Sequence, residues 1–468
     1  MSLKYISTRG RAPVLDFGDV LLAGLAADGG LYVPDRWPKL SPDALSGLVG
    51  RGDYADLASE VMWPFVDGAY PRARFDELVR DAYGAFAHPE VVPMVELDDG
   101  LWLMELFHGP TLAFKDIALQ LVGRLFDEEL TRRSERVTIV GATSGDTGSA
   151  AIEAVRDREN IQIVILHPHG RISEVQRRQM TTVDSANVHN VAIDGTFDDC
   201  QDLVKAMFAD AAFRAEQRLS AVNSINWARV MAQTVYYVAA ATRRGLERVS
   251  FSVPTGNFGN VLAGHVARQM GLAIDRFTVA SNSNDILTQF FTSGSMAISE
   301  VHPTLSPSMD IQVSSNLERL LFELFDRDGI RTAEMLEDFR ATGEMRLDAR
   351  IAAELERGWS GVRVDDAETT ATIAELYRDT GMIIDPHTAV GMAAARRSRR
   401  GSDHPIVVLA TAHPAKFGDA VEAAIGVQPP MPPALAVLAE RPERCTRLAN
   451  DLAAVKAHVA QCSGHGVG

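Results

Sequence analysis

Strand-like and helix-like segments alternate through the middle of the chain. Short apolar runs at 137–141, 161–167, 249–253 and 406–410 have the length and the β-branched content of buried strands. Segments with helical periodicity follow or precede each run, and strands that alternate with helices in this way form a parallel sheet. The pattern therefore predicts an α/β fold, a parallel sheet with helices on both faces. Ligands of such a sheet are expected at the carboxyl ends of the strands.

The two ends of the chain have different patterns. Residues 1–95 are polar and rich in turns, with three stretches of amphipathic helical periodicity, and predict an α-rich N-terminal cap domain. Residues 96–428 contain the alternating strands and helices, and predict an α/β domain with two lobes. Residues 429–468 are proline-rich at first and then helical in pattern, and predict a C-terminal helical tail.

Composition excludes several classes of function. The chain has 468 residues and a formal net charge of -16, which argues against nucleic acid or an anionic membrane as the main partner. No window of 18 apolar residues occurs, and the N-terminus lacks the apolar core of a signal peptide. Three cysteines without metal spacing, Cys200, Cys445 and Cys462, indicate free thiols in a reducing compartment. We therefore expect a cytoplasmic protein with no membrane span.

One lysine stands out in the stretch Glu105–Asp116, which is otherwise mostly apolar or turn-forming. Lys115 lies between Phe114 and Ile117, at the start of a segment with helical periodicity. Partly apolar surroundings lower the pKa of a lysine, and a neutral amine can form a Schiff base with a carbonyl cofactor. The stretch is equally compatible with a lysine that begins a helix and extends its charged group into solvent.

Two glycine-rich turns follow predicted strands and open predicted helices. The turn Gly141–Gly148 has neither the Walker A ending nor the spacing of a nucleophile elbow. It is either a carboxylate-binding turn or an ordinary strand-to-helix turn. In Val253–Val261, Gly256 and Gly259 flank two residues at a positive helix end, which predicts a cradle for a phosphate dianion.

The segment Ser220–Arg229 collects amides, hydroxyls and a guanidinium at the start of a long predicted helix. The Arg229 guanidinium suits a bidentate contact to phosphate. The alternative is helix capping by Ser224 or Asn226 together with a surface arginine.

Two further motifs contain histidine. His167 and His169 are interpreted as a loop pair rather than a metal site, because no third ligand follows at a telling distance. Asp385 is expected to cap the helix that follows it.

Lys115, the SGDTG turn, the GNFGN turn and the segment TAHPAKF, in that order, resemble the threonine synthase family. The members of that family are pyridoxal-phosphate enzymes of fold type II, the tryptophan-synthase-β type. The resemblance extends over nearly the whole chain, from STRG and DGGLYVP to ATAHPAKF, and SGDTG is similar to the longer bacterial and fungal branch. It implies that the α/β domain at 96–428 is the catalytic domain.

The resemblance also implies roles for individual residues. Lys115 would bind pyridoxal 5'-phosphate covalently and then move protons during catalysis. The cofactor phosphate would contact Gly256, Asn257, Phe258, Gly259 and Asn260. The pyridine nitrogen would accept a hydrogen bond from Thr411. The substrate carboxylate would contact Thr143, Ser144, Asp146 and Thr147. The substrate phosphate would contact Asn223, Ser224 and Arg229. No metal is implied.

The implied reaction converts O-phospho-L-homoserine and water to L-threonine and phosphate by γ-elimination and β-addition, the last step of threonine biosynthesis. A monomer or a homodimer is expected. Two alternatives remain at this stage. One is a pyridoxal-phosphate-dependent threonine or serine dehydratase, which needs no site for a substrate phosphate. The other is a non-catalytic phosphometabolite-binding protein with the same fold.

Overall fold

A computed structural model describes residues 2–50, 52–143, 145–221, 223–399 and 404–464. In chain order the strands are β1 Tyr5–Ser7, β2 Tyr32–Pro34, β3 Met94–Asp98, β4 Leu101–Glu105, β5 Val137–Ala142, β6 Ile161–Pro168, β7 Val188–Asp194, β8 Leu219–Ser220, β9 Val249–Pro254, β10 Ile274–Ser281, β11 Ser295–Ala297, β12 Glu344–Arg346, β13 Trp359–Arg363, β14 Ile406–Ala410 and β15 Thr446–Ala449. The α-helices are α1 Phe17–Ala23, α2 Pro42–Leu48, α3 Tyr54–Val66, α4 Arg72–Tyr83, α5 Lys115–Arg133, α6 Asp146–Val155, α7 Glu174–Thr181, α8 Phe197–Ala209, α9 Ala211–Glu216, α10 Trp227–Arg244, α11 Gly259–Met270, α12 Ile286–Ser293, α13 Leu317–Leu324, α14 Gly329–Thr342, α15 Ala349–Glu356, α16 Asp366–Thr380, α17 Pro386–Ser398, α18 Gly418–Ile425, α19 Pro433–Ala436 and α20 Leu452–Ser463.

The chain divides into two compact units that do not follow chain order. The first unit comprises Met1–Val20, Leu25–Phe114 and Ser224–Pro430, and the second comprises Leu21–Gly24, Lys115–Asn223 and Met431–Gly468. The predicted division at residues 95 and 428 into a cap, an α/β domain and a tail stays a prediction.

A six-stranded sheet with the order β13-β10-β9-β14-β4-β3 forms the centre of the first unit. Its neighbours pair in parallel except β3, which is antiparallel to β4. Every residue of β9 and β14 is buried, which is typical of parallel strands covered on both faces. Leu103 of β4, Val408 of β14 and Met392 of α17 belong to an apolar core between these strands and helices α16 and α17.

The second unit has a five-stranded sheet with the order β15-β7-β6-β5-β8, and all of its pairs are parallel. Its core includes Val164 of β6, Val191 of β7, Leu203 of α8 and Val459 of α20. The prediction of parallel sheets with alternating helices is therefore confirmed in both units.

Three local predictions need correction. The tail predicted to be helical also contains β15, which adds an edge strand beside β7. Helical periodicity over residues 198–213 predicts a single helix, but the structure interrupts it at Asp210, whose carboxylate accepts the N–H of Phe213 and so caps α9. His167 does not lie in a loop, because it belongs to β6 and is 1% exposed.

Other expectations agree with the structure. Asp385 caps α17, since its carboxylate accepts the N–H groups of His387 and Thr388. Among the described residues, no helix is long and apolar enough to cross a membrane.

Candidate active site

The predicted site residues fall in both units. Those in the second unit are Lys115, Thr143, Asp146, Thr147 and Asn223. Those in the first unit are Ser224, Arg229, Gly256, Asn257, Phe258, Gly259, Asn260 and Thr411. Ser144 lies outside the described residues, so its predicted contact with the substrate carboxylate stays untested by the geometry.

Lys115 is the first residue of α5, and the segment that leads into this helix is held in place. Within the first unit, the N–H of Phe114 donates to the carbonyl of Thr411 at 2.9 Å, and the N–H of His413 donates to the carbonyl of Leu112 at 3.1 Å. Leu112 has a left-handed backbone with φ of 59°, which is uncommon for a residue with a branched side chain. Backbone pairing of this kind fixes the direction in which the chain enters α5.

The Lys115 amine is largely buried, which agrees with the first of the two interpretations of this stretch, but it faces a carboxylate. Its side chain is 12% exposed, and Nζ lies 3.5 Å from Oδ2 of Asp146, whose side chain is 5% exposed. Desolvation alone would favour the neutral amine, whereas a carboxylate at this distance favours the ammonium form. The alternative of a lysine that extends into solvent does not fit this burial.

Hydrogen bonds within the turn before α6 determine its shape. Oγ1 of Thr143 accepts the N–H of Gly145 at 3.0 Å and the N–H of Gly148 at 2.9 Å. Gly145 has φ of 150° and ψ of -94°, a conformation that is essentially restricted to glycine. The turn thus places Asp146 and Thr147 in the first turn of α6, where the positive end of the helix dipole favours negative charge.

Gln176 orients Asp146, and nothing in the sequence pattern predicts this contact. Its Nε2 donates to Oδ1 of Asp146 at 3.0 Å, while its Oε1 lies 3.1 Å from Oγ of Ser173. A side chain at Gly145 would collide with this glutamine, since a Cβ there would lie 2.4 Å from Cδ of Gln176. The glycine of the SGDTG turn is therefore required by tertiary contact as well as by its backbone angles.

The GNFGN turn of the first unit has the features of an anion-binding turn. It follows β9 and opens α11, and Phe258 at the N-cap is left-handed with φ of 64°. A Cβ at Gly256 would lie 2.6 Å from the carbonyl oxygen of Ser308, so glycine is needed for this close approach. Strained, glycine-dependent backbone at a helix N-terminus is the usual setting of a phosphate.

Asn260 in the same turn has a buried side-chain donor that could bind an anion. Its Oδ1 accepts the hydroxyls of Tyr236 at 2.5 Å and Tyr237 at 2.9 Å, so Nδ2 points the other way. Nδ2 is buried and has no hydrogen-bond partner among the described residues. A buried donor without a partner carries a desolvation cost, which a bound anion would remove.

A short segment, 314–319, binds the carbonyl groups of both predicted phosphate-contacting loops in the first unit. The side chains of Ser314, Asn316 and Arg319 and the Asn316 backbone N–H provide the donors. Oγ of Ser314 donates to the carbonyl of residue 256 at 2.8 Å, and Nδ2 of Asn316 donates to that of residue 257 at 3.0 Å. The same Nδ2 donates to the carbonyl of residue 224 at 3.1 Å, and Nη2 of Arg319 to that of residue 225 at 2.7 Å.

These contacts decide where the amide groups of the GNFGN turn point. In a trans peptide the C=O of one residue and the N–H of the next point in opposite directions. Because the carbonyls of Gly256 and Asn257 face segment 314–319, the N–H groups of Asn257 and Phe258 face away from it. Neither N–H has an acceptor among the described residues. Ser314 and Asn316, which the sequence did not identify, therefore orient these two N–H groups so that they can bind an anion.

Arg229 has a buried guanidinium that forms no ion pair with any of the described residues. It is 4% exposed, and its Nε and Nη1 have no hydrogen-bond partner among the described residues. Burial lowers the pKa of Arg229 to about 10. The alternative of a surface arginine is wrong, although the predicted cap is present, since Oδ1 of Asn226 accepts the N–H of Ala228 at 3.0 Å. A buried guanidinium in this state is well suited to a phosphate or carboxylate ligand.

Asn223 in the second unit also has an unsatisfied atom. Its Oδ1 is buried and lacks a hydrogen-bond partner within the part of the chain that the structure describes. Ser224 and Thr147 are half-buried, and Thr411 is buried. The residues present thus fit a phosphorylated carbonyl cofactor: an amine, a glycine-dependent turn with outward N–H groups, and buried donors without partners.

Comparisons with known proteins support this interpretation. Family models match the chain as threonine synthase N terminus over residues 4–83, pyridoxal-phosphate dependent enzyme over 90–338, and threonine synthase, C-terminal, over 388–459. A threonine synthase of Pseudomonas aeruginosa is 54% identical over 467 residues, with 99% of each chain covered. The chain belongs to the threonine synthase family.

Solved structures of threonine synthases are similar over the whole chain. The structure of threonine synthase from Brucella melitensis with pyridoxal phosphate bound has a TM-score of 0.97 and 49% identity, and covers 99% of this chain and 100% of that chain. The yeast threonine synthase structure has a TM-score of 0.93 and 38% identity, with 99% of each chain covered. These matches confirm the predicted type II fold, the bacterial and fungal relationship and pyridoxal phosphate as the cofactor. The roles of individual residues stay predictions.

A first test concerns segment 314–319. We expect Asn316→Asp to weaken binding of pyridoxal phosphate by about tenfold to 100-fold, because losing a donor to buried carbonyls costs about 1–3 kcal/mol. The substitution replaces Nδ2 by an oxygen that faces two carbonyl oxygens. Equilibrium dialysis against the free cofactor measures the affinity. Asn160→Asp, in which a partly exposed amide of the second unit is changed, should bind the cofactor normally. Unchanged affinity in Asn316→Asp would show that this segment does not orient the turn.

Proposed function

We propose that this chain converts O-phospho-L-homoserine and water to L-threonine and phosphate, and so acts as a carbon–oxygen lyase on a phosphorylated substrate. The observation that carries this proposal is the Arg229 guanidinium, which is 4% exposed and has Nε and Nη1 without partners among the described residues. A cofactor phosphate already has a predicted place at the GNFGN turn. A buried guanidinium at a different place, with two nitrogens unpartnered among the described residues, supports a second phosphate, the one that the substrate brings.

Each predicted residue has a task in this reaction. Bound pyridoxal phosphate supplies an electron sink that stabilises negative charge on substrate carbons. Nζ of Lys115 takes a proton from the substrate and returns protons to it at later steps. Arg229, with Asn223 and Ser224, holds the substrate phosphate and stabilises the charge that grows on it as the carbon–oxygen bond breaks.

The substrate carboxylate and the cofactor have separate sets of contacts. We assign the carboxylate to Thr143 and Thr147 near the N-terminus of α6, where N–H groups and the helix dipole attract an anion. Ser144 stays a predicted contact of the same carboxylate. We assign the cofactor phosphate to residues 256–260 and the pyridine nitrogen to Thr411. The hydroxyl of Thr411 is a neutral partner, so it leaves that nitrogen less protonated than a carboxylate would.

The dehydratase alternative explains less of the molecule. A threonine or serine dehydratase has no substrate phosphate. In such an enzyme the desolvation cost of burying Arg229, whose Nε and Nη1 have no partner among the described residues, would not be offset by ligand binding. A non-catalytic phosphometabolite-binding protein would account for Arg229. It would not account for the amine of Lys115 beside Asp146.

Incubation of the purified holoenzyme with phosphohomoserine tests the proposal. We expect phosphate and threonine in a one-to-one ratio. Ammonia released from threonine or serine, without phosphohomoserine turnover, would support the dehydratase instead. Binding of phosphohomoserine without any product would support the non-catalytic protein.

The remaining proposals concern the protein as a whole. We propose a cytoplasmic enzyme with a small-molecule substrate, no nucleic-acid partner and a monomeric or homodimeric state. The catalytic domain at 96–428, between a cap at 1–95 and a tail at 429–468, is part of the same proposal. Sedimentation of the holoenzyme at micromolar concentration would decide between monomer and dimer.

A further inference from the structure

A carboxylate stands next to the amine that carries the proposed chemistry. Oδ2 of Asp146 lies 3.5 Å from Nζ of Lys115, and both side chains are largely buried. On α5 the charged group that faces Asp146 is Lys115, and on α7 the facing group is the neutral amide of Gln176. The two helices thus present two donors to the two oxygens of one carboxylate.

The contacts of Asp146 require an acceptor at both oxygens. Gln176 donates to Oδ1 through Nε2, and the orientation of its amide is set by Ser173, whose hydroxyl lies beside Oε1. An asparagine at residue 146 could accept at one atom but would place its own N–H groups against a donor at the other. An ionised aspartate satisfies both contacts, and its position in the first turn of α6 favours the negative charge.

The same contacts argue against a role in binding the substrate carboxylate. Two carboxylates at close range repel each other unless a cation or a proton lies between them. The cation that Asp146 faces is Lys115, which the proposed reaction needs for proton transfer. Asp146 is therefore better suited to act on Lys115 than on the substrate.

We propose, on the basis of the function proposed above, that Asp146 is a positioning residue that holds the Lys115 amine in place and stabilises its ammonium form. When a carbon–hydrogen bond of the substrate breaks, its proton bonds to Nζ and the electron pair stays with the substrate. The Asp146 carboxylate keeps that proton on Nζ until it is returned to a substrate carbon. Gln176 in turn fixes the carboxylate, and Gly145 leaves the space that Gln176 occupies.

Asp146→Asn is the decisive variant, because it removes the charge with little change in shape. We expect kcat to fall by about 100-fold, the lower range of general acid–base contributions, while KM stays within about threefold of the wild-type value. If Asp146 bound the substrate instead, the variant would change KM and leave kcat unchanged. That result would overturn the proposal.

A second measurement needs neither cofactor nor substrate. Acetic anhydride competition labelling of the full-length chain after cofactor removal, read by mass spectrometry of the Lys115 peptide, gives the pH at which the amine becomes reactive. Loss of a nearby carboxylate destabilises the ammonium form, so this midpoint should fall by about one pH unit or more in Asp146→Asn. Asp146→Glu, which keeps the charge, should retain most of the wild-type midpoint. An unchanged midpoint in Asp146→Asn would contradict the proposal.

Two further variants distinguish the effect of the Asp146 charge from the effect of its orientation and from a general disturbance of α6. Gln176→Ala keeps the Asp146 charge but not its orientation, so kcat should fall severalfold while the labelling midpoint moves less than in Asp146→Asn. Glu153→Gln is the matched control on the same helix, since Glu153 pairs with Arg156 instead of Lys115. It should leave both measurements unchanged. If the wild-type holoenzyme itself shows no turnover, the proposed function is wrong, and the labelling midpoint alone then decides whether Asp146 acts on Lys115.

Discussion

Lys115→Ala is expected to purify without visible absorbance from bound pyridoxal phosphate, and its kcat should be lower than that of the wild type by about a thousandfold or more. The reason is that no other group can replace its amine as covalent carrier and as proton acceptor in the proposed reaction. Absorbance spectra before and after borohydride reduction, followed by peptide mass mapping, measure the first effect. Phosphate release from phosphohomoserine measures the second.

Lys115→Arg distinguishes the loss of the reactive amine from the loss of the ion pair with Asp146. Arginine keeps a positive charge beside Asp146 but cannot form a Schiff base, so it should be as inactive as the alanine variant. The melting temperature should fall in Lys115→Ala, because the buried Asp146 carboxylate loses the positive charge that it faces, and should change less in Lys115→Arg. In Lys205→Ala, where an exposed lysine is removed, spectrum, activity and melting temperature should stay at wild-type values. A reduced adduct on a lysine other than Lys115 would contradict the assignment of Lys115 as the residue that binds the cofactor covalently.

Arg229→Met is expected to raise KM for phosphohomoserine about 100-fold while the protein retains its cofactor. Charge-assisted hydrogen bonds to phosphate disappear, and a 100-fold change corresponds to about 2.7 kcal/mol. Steady-state kinetics give KM, and the visible spectrum reports cofactor retention. Arg244→Met, on the same helix but exposed, should leave KM unchanged. An unchanged KM in Arg229→Met would remove the support for a substrate phosphate and favour the dehydratase.

The same variant should be more stable than the wild type in the absence of substrate. Burial lowers the pKa of Arg229 to about 10, well below its ordinary value, so folding disfavours its charged form. The penalty is fully present below about pH 10, where the group is charged in both states, and vanishes only above the ordinary value. At neutral pH a methionine removes the penalty, and the melting temperature of the substrate-free protein should rise. A lower melting temperature in Arg229→Met would show that the wild-type guanidinium has a stabilising partner.

Strands and helices with an uninterrupted local signal were predictable from the sequence. β14 was assigned at its observed ends, Ile406–Ala410, because a strand buried on both faces is apolar throughout. Helical periodicity also predicts a helix from about residue 227 to residue 244, and the observed helix is Trp227–Arg244, because a capping asparagine precedes it and a left-handed glycine follows it. Edge strands were missed: β8 has two residues and β15 has four, all of them at least partly exposed, so they carry no hydrophobic period.

Part of the candidate site was predictable for the same reason, and part was not. Lys115 and the two glycine-rich turns stand out because each breaks the local apolar or helical pattern. Three other side chains do not stand out in the sequence: Gln176, Asn316 and Arg319. Each lies in an ordinary polar stretch, and its role comes from hydrogen-bond partners 30 to 94 residues away along the chain.

The sequence by itself determined the alternating α/β fold, the resemblance to threonine synthases and the candidate lysine and glycine-rich turns. These depend on local periodicity and on glycines that particular backbone angles demand. Only the tertiary structure decided that Arg229 is buried with no ion-pair partner among the described residues and that Asp146 faces Lys115. Burial and pairing depend on which distant segments meet, and that information is spread over many residues rather than written in any one motif.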